Sequence, residues 1–254
     1  MKLVKALKYI FWTFYNIWFY LLVLALTILI LFPSFFFVAL NPKLYKHFSK
    51  MAVLWSDLVL FGMGMFPKVE SKNNLSSKSA YIFVANHVSM IDVMLMGSTI
   101  RNHPIVFIGK KELEKIPFFG YVYKKTMILV DRSSNESKKN VFIQTEKKLK
   151  EGISIVIFPE GTVPSIDVAL GPFKHGAFSI AIDHKTPIVP MTFLDNKKRF
   201  PWSYGGLLAG SKGSPGRLRV KIHDPIITEN MTRKDVNVLC NKVRDIILSD
   251  LEIS

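Results

Sequence analysis

The sequence predicts an α/β fold, a mixed and mostly parallel central sheet flanked by helices, preceded by an apolar helical segment. Three observations carry that reading. No charged residue occurs from Tyr9 to Pro42. From about residue 75 onward, short β-rich runs alternate with stretches of helical period. The polar residues suited to chemistry fall where apolar runs end, as they do at the strand ends of open α/β sheets. A chain of 254 residues, 49% hydrophobic, fits one such domain with an appendage. The expected division is 1–70 for membrane-associating helices and 71–254 for the α/β domain.

The uncharged run comes first. Its centre, Phe11–Leu40, is dense in Phe, Leu, Ile, Trp and Tyr, with Lys2, Lys5 and Lys8 on one side and Lys43, Lys46 and Lys50 on the other. It is too long for the apolar part of a signal peptide, and no small-residue cleavage site follows, so it reads as a membrane segment. As a helix its 34 residues would measure about 51 Å, against a hydrocarbon core of about 30 Å. The symmetric lysines give no orientation. One tilted span fits. A bent pair of helices dipping into one leaflet, with amphipathic Met51–Phe66 at the interface, also fits and is favoured.

Polar Ser71–Ser79 reads as the linker. Strands are expected at Tyr81–Ala85, Ile105–Ile108, Met127–Val130, Ile153–Phe158, Ile188–Phe193 and Leu218–His223, and helices at Ile91–Met96, Ser137–Lys150, Phe173–His184 and Thr232–Leu251. Gly205, Gly206, Gly210, Gly213 and Gly216 make Trp202–Gly216 a long loop.

The formal net charge of +15 favours anionic partners: lipid headgroups, an acidic carrier protein or nucleic acid. The basic residues are dispersed rather than clustered with aromatics on one element, which argues against nucleic acid. Cys240 is the one cysteine, so no internal disulfide and no multi-cysteine metal site can form, and its place in an amphipathic helix reads as a buried thiol. A reducing, cytoplasmic-facing domain follows from that cysteine usage. The six histidines (His47, His87, His103, His175, His184, His223) show no metal-ligand spacing.

Residues 86–92, Asn-His-Val-Ser-Met-Ile-Asp, directly follow an apolar run and put His87 and Asp92 at a strand-to-helix turn. Histidine is a usable base near neutral pH, and a carboxylate can fix its tautomer and stabilise the imidazolium. Ser89-x-x-Asp92 also reads as a helix start with Ser89 as N-cap, and the two readings are compatible. Lys110 and Lys111 follow the third apolar run, Asp131-Arg132 ends the next, and Phe158-Pro159-Glu160-Gly161-Thr162 ends the strongest strand pattern. Lys110, Lys111 and Arg132 are candidates for an anion pocket, Glu160 for orienting a hydroxyl or a cation, and Gly161 for close backbone approach. Taken singly, each also reads as ordinary surface charge or turn chemistry.

Taken in order, these blocks resemble the PlsC-type glycerolipid acyltransferases, 1-acyl-glycerol-3-phosphate acyltransferases. The NHxxxxD motif corresponds to Asn86, His87 and Asp92; the second block to Lys110–Gly120 with Asp131-Arg132; the FPEGT block to Phe158–Thr162; and a short apolar-Pro block to Ile188-Val189-Pro190. The likeness covers roughly residues 75–225. It implies the glycerolipid acyltransferase fold, His87 as general base oriented by Asp92, and substrate contacts from Asn86, Lys110, Lys111, Arg132, Glu160, Gly161 and Thr162. The implied reaction moves an acyl group from acyl-CoA or acyl carrier protein, as co-substrate, to the sn-2 hydroxyl of lysophosphatidic acid, giving phosphatidic acid in phospholipid synthesis. It needs no cofactor and no metal, and it implies a membrane location, on the cytoplasmic face of the inner membrane in a bacterium. The family often continues its third block with Arg-Ser, whereas Val163-Pro164-Ser165 stands here. Other acceptors of the same chemistry therefore stay open: another lysophospholipid, an amino-acid lipid precursor or glycerol 3-phosphate.

Overall fold

The computed structural model describes residues 2–71, 75–116, 119–131, 133–165, 167–202 and 212–253. Its first element is one long rod. Helix α1 (Lys2–Leu26) runs through a π-helical turn, Thr27–Leu31, into α2 (Phe32–Leu40). Pro33 accounts for that turn: it lacks an N–H and its ring would strike the carbonyl four residues back. The register slips instead, and the Phe32 N–H reaches back to Thr27 O. From Val4 to Leu40 the rod is long and apolar enough to cross a membrane, by length and composition.

The rod does not stand alone. Trp12, Asn16, Phe19, Val23, Leu26, Ile30, Ser34, Phe35 and Val38 form a sheltered stripe at helical spacing. Helix α3 (Tyr45–Gly62) lies beside it. At its upper end Tyr15 Oη donates to Met63 O at 2.7 Å and Trp18 Nε1 to Gly62 O at 2.9 Å. At its lower end Tyr45 Oη shares its one proton between two carbonyls, Ile105 O (2.9 Å) and Thr126 O (3.1 Å). The outward face stays apolar: Leu21, Leu24, Ile28, Phe32, Phe36 and Phe37 are all exposed, and Leu29 reaches 70%.

Among the described residues seven strands make the sheet: β1 (Met65–Ser71), β2 (Ile82–Ala85), β3 (Ile105–Lys110), β4 (Ile128–Val130), β5 (Ser154–Ile157), β6 (Ile188–Phe193) and β7 (Gly216–Ile222). Their order is β1-β7-β6-β2-β5-β3-β4. Neighbours are parallel except β6 and β7, so β1 and β7 run against the other five. The connecting helices are α4 (Asp92–Thr99), α5 (Phe119–Thr126), α6 (Asn135–Lys150), α7 (Gly176–Asp183) and α8 (Asn196–Arg199), and α9 (Val236–Ile253) closes the chain. The mixed, mostly parallel sheet flanked by helices is the expected fold class.

Alternate residues of β2 feed two cores. Ile82 and Val84 join Ile155, Ile188, Phe178 and the α9 residues Leu239, Val243 and Ile247, with Phe35 and Val38 of the rod. Phe83 and Ala85 join Val156, Val189, Leu95, Val59 and Leu60, with Phe19 of the rod. Cys240 is buried in α9, its expected place.

All six expected strands are found, with ends shifted by up to two residues. The sequence reading missed β1, which crosses the residue 70/71 division and pairs along its whole length with β7. It also missed α5 and α8. Most of the expected loop after Trp202 lies outside the described residues.

Candidate active site

The strand order sets the C-terminal ends of β6, β2, β5 and β3 side by side, and the candidate residues gather there. At the end of β2, Asn86 is 1% exposed. Its Nδ2 donates to Phe193 O at 3.1 Å and its Oδ1 accepts the Phe193 N–H at 2.8 Å, which stitches β2 to the end of β6. The chain then turns, and Asp92 opens α4.

Asp92 is fully buried and takes four hydrogen bonds. Its Oδ2 accepts from the Val88 N–H (2.7 Å), the Ser89 N–H (2.8 Å) and His87 Nδ1 (2.8 Å), and its Oδ1 from Asn196 Nδ2 (2.7 Å). A carboxylate only accepts, so the proton of this bond sits on His87 Nδ1. Nε2 then carries the lone pair, and it has no hydrogen-bond partner among the described residues. The His87 side chain is 19% exposed, enough for a substrate to reach. Phe158 stacks against its ring, centroids 4.3 Å apart, and Trp202 meets its edge at 6.0 Å.

The helix start differs from the expected cap. Ser89 does not cap α4: its hydroxyl donates to Phe200 O and accepts the Ile91 N–H. Asp92 itself turns back to satisfy the two N–H groups ahead of the helix, where the helix dipole favours its charge. Trp202 N–H donates to Val88 O, so the Phe200–Trp202 strap holds the histidine turn at two points.

Glu160 braces the turn from β5. It is 3% exposed; Oε1 accepts the His87 N–H and Oε2 the Gly171 N–H, each at 2.7 Å. Burial raises its carboxyl above the ordinary carboxylate range, and those two N–H bonds pull the other way. Gly161 sits at φ 73°, where a side chain is strained, and its N–H donates to Phe158 O at 3.0 Å. Thr162 is exposed.

The other basic candidates lie further along. Lys110 ends β3 and Lys111 opens the 3-10 turn Lys111–Lys115, both exposed. Lys110 lines a cleft of about 480 Å³ with Glu112, Leu113, Val130, Asp131 and Ser133. Hydrogen bonds from Ser133 hold Asp131 below the usual carboxylate range. Arg132 lies outside the described residues. Val163 lines a narrow crevice with Val88, Val168, Lys197 and Trp202, and Lys197 Nζ donates to Val168 O.

Sequence reasoning missed Asn196 and its support. Asp195 forms a two-point ion pair with Arg219 (2.9 Å each) and also accepts the Arg219 backbone N–H. Burial alone would raise the Asp195 carboxyl, but Arg219 outweighs it and holds it low. The available signal was Asp195-Asn196, starting two residues beyond the apolar strand Ile188–Phe193. Among the described residues no group of three or more His, Cys, Asp or Glu is placed to hold a metal ion.

A protein-family model described as Acyltransferase matches residues 67–194. The chain is 29% identical over 210 residues to the chloroplastic 1-acyl-sn-glycerol-3-phosphate acyltransferase of Brassica napus, covering 82% of this chain and 57% of that one. It is 36% identical over 156 residues to the 1-acyl-sn-glycerol-3-phosphate acyltransferase of Escherichia coli, covering 59% and 61%. The chain thus spans about three-fifths of the length of these relatives. In fold it is similar to the crystal structure of the 1-acyl-sn-glycerophosphate (LPA) acyltransferase PlsC from Thermotoga maritima, with TM-score 0.75, 22% identity and 96% of each chain covered.

Proposed function

The chain belongs to the acyltransferase family, and from that premise we propose that it moves a fatty acyl group from a thioester donor, acyl-CoA or acyl carrier protein, to the sn-2 hydroxyl of 1-acyl-glycerol 3-phosphate. The product would be phosphatidic acid. The single observation that carries the chemistry is the His87 ring, with Nδ1 committed to Asp92 and Nε2 left as a base. The names of the relatives support the acceptor.

A hydroxyl is a weak nucleophile until its proton is taken, and His87 Nε2 takes it. Asp92 stabilises the imidazolium that forms. The oxygen attacks the thioester carbonyl; the carbon–sulfur bond then breaks, and the thiolate leaves as the ester forms. With a thiol pKa of about 8.5 the leaving group needs little help, and the imidazolium proton is available to it. Ser89 is no nucleophile here, since its hydroxyl is spent on Phe200 and Ile91.

Asn86 and Glu160 act as struts rather than as substrate ligands, because their polar atoms are engaged by Phe193, His87 and Gly171. The Gly161 N–H bonds Phe158, so the donors to the oxyanion come from elsewhere. Lys110 and Lys111, with Arg132 next in sequence to Asp131 of the same cleft, supply positive charge for the acceptor phosphate. Val163, where the family often carries arginine, favours a second reading in which the acceptor is another lysolipid.

The membrane meets the outward face of the rod. Its inward stripe is packed on the α/β domain from Phe19 to Val38, so the rod lies along one leaflet rather than crossing as a free span. The net charge of +15 suits an anionic surface on the cytoplasmic side, as well as an acidic carrier or the phosphates of coenzyme A.

The test is steady-state transfer with a panel of lysolipid acceptors. His87→Ala and Asp92→Asn should each lose at least about a hundredfold in kcat, within the range of general-base catalysis, with folding and vesicle binding intact. Wild-type activity in His87→Ala would sink the mechanism, and no preference for lysophosphatidic acid would sink the acceptor.

A further inference from the structure

We propose that Asn196 is a positioning residue for the His87–Asp92 pair, holding the carboxylate plane so that one oxygen faces His87 Nδ1 while the other faces Asn196. This rests on His87 being the base. Oδ2 collects three donors, all from the turn that precedes α4, whereas Oδ1 is held by Asn196 Nδ2 alone. Donors on both oxygens therefore fix the plane of the carboxylate about its Cβ–Cγ bond.

The whole value of this asparagine lies in its bond to Asp92. It is fully buried, and its carbonyl oxygen has no hydrogen-bond partner among the described residues. An apolar side chain of similar size would remove that unpaired atom but leave Asp92 Oδ1, itself fully buried, without its donor. What Asn196 supplies is one N–H at one point, 104 residues along the chain from Asp92. Its support is correspondingly firm. Asp195 is clamped to Arg219 of β7, and Phe193, three residues back, grips Asn86 through its backbone. The segment Phe193–Asn196 thus holds both ends of the Asn86–Asp92 heptad.

The experiment measures kcat and KM for 1-acyl-glycerol 3-phosphate and an acyl-CoA across pH, for wild type, Asn196→Ala and Asn196→Asp. For Asn196→Ala, kcat should fall roughly 10–100-fold, as expected for a misplaced catalytic group, while both KM values stay within about twofold. For the isosteric Asn196→Asp, the new carboxyl donates to Asp92 only while it keeps its proton. Charged and titratable groups around it are Asp92 and His87 on the turn, Glu160 from β5, Asp195 and Arg199 on its own segment, and Arg219 of β7. Its kcat relative to wild type should therefore fall as pH rises, whereas the Asn196→Ala ratio stays level. A kcat for Asn196→Ala within twofold of wild type overturns the proposal, as does a pH-independent ratio for Asn196→Asp. If Asn196→Ala does not fold, the isosteric variant decides alone. His87→Ala in the same assay separates the two ideas: an active His87→Ala removes the base, while an inactive one beside an active Asn196→Ala removes only the positioning role.

Discussion

Gly171→Ala is a small change with a calculable consequence. A methyl group on Gly171 would stand 2.8 Å from Glu160 Oε2, where ordinary contact begins at 3.4 Å. The carboxylate must therefore retreat by at least 0.6 Å, the difference between those distances. The tip of a free glutamate would do so at little cost, but this one is 3% exposed and tied at both oxygens. Retreat breaks or stretches the bond to the Gly171 N–H or the bond to the His87 N–H. A hydrogen bond to a charged group is worth about 1.5–3 kcal/mol. With about 2 kcal/mol lost, the melting temperature should fall by roughly 4–8 °C for a chain of this size. Because one end of Glu160 supports the His87 backbone, kcat should fall with it. Thermal unfolding of the detergent-solubilised protein, followed by circular dichroism, reads the first effect, and the transfer assay reads the second. Gly176→Ala is the control, since a methyl there meets nothing within 4 Å. If Gly171→Ala melts and turns over like that control, Glu160 is not the brace described here.

Two further outcomes are expected. Burial lowers His103, His184 and His223 below the usual histidine value of 6.5, with Glu146 opposing at His184 and Asp250 at His223. The unfolded chain therefore binds more protons as pH drops below 6.5, so stability present above that value is lost as pH falls toward the depressed values. The raised Glu160 acts in the opposite sense above 4.5. A melting temperature at pH 5.5 equal to or above that at pH 7.5 would contradict the histidine burial. On the rod, outward Leu29→Lys should weaken sedimentation with anionic vesicles roughly tenfold or more without changing the melting temperature. Inward Phe19→Ala should instead destabilise the fold by about 3–5 kcal/mol. Equal behaviour of the two variants would refute the assignment of faces.

Much of this fold was written in local pattern, and the gaps have physical causes. The strands buried on both faces, such as Ile188–Phe193, are continuous apolar runs and read directly. Strand β1 did not, because it lies at the sheet edge with six of its seven residues exposed and carries Pro67, which edges tolerate. The pairing of His87 with Asp92 was legible because it is local. The Ser89 cap was misassigned because an acceptor outside the turn's own sequence, the Phe200 carbonyl of the strap, takes that hydroxyl's proton. Asn196 was invisible for a related reason. Nothing in the neighbourhood of residue 196 points 104 residues back; only the adjacency of β6 and β2 brings the two together.

The sheltered stripe on the N-terminal rod also bears on how a water-soluble form of this protein would be made. Trimming away the first forty residues is the obvious route for a chain with a greasy leading segment, and here it would fail. Phe19, Phe35 and Val38 belong to the two cores, so the cut would leave raw apolar surface on the α/β domain. Solubility has to come from recolouring the outer face, replacing residues such as Leu24, Ile28, Leu29, Phe36 and Phe37 with charged helix formers while every inward residue keeps its place.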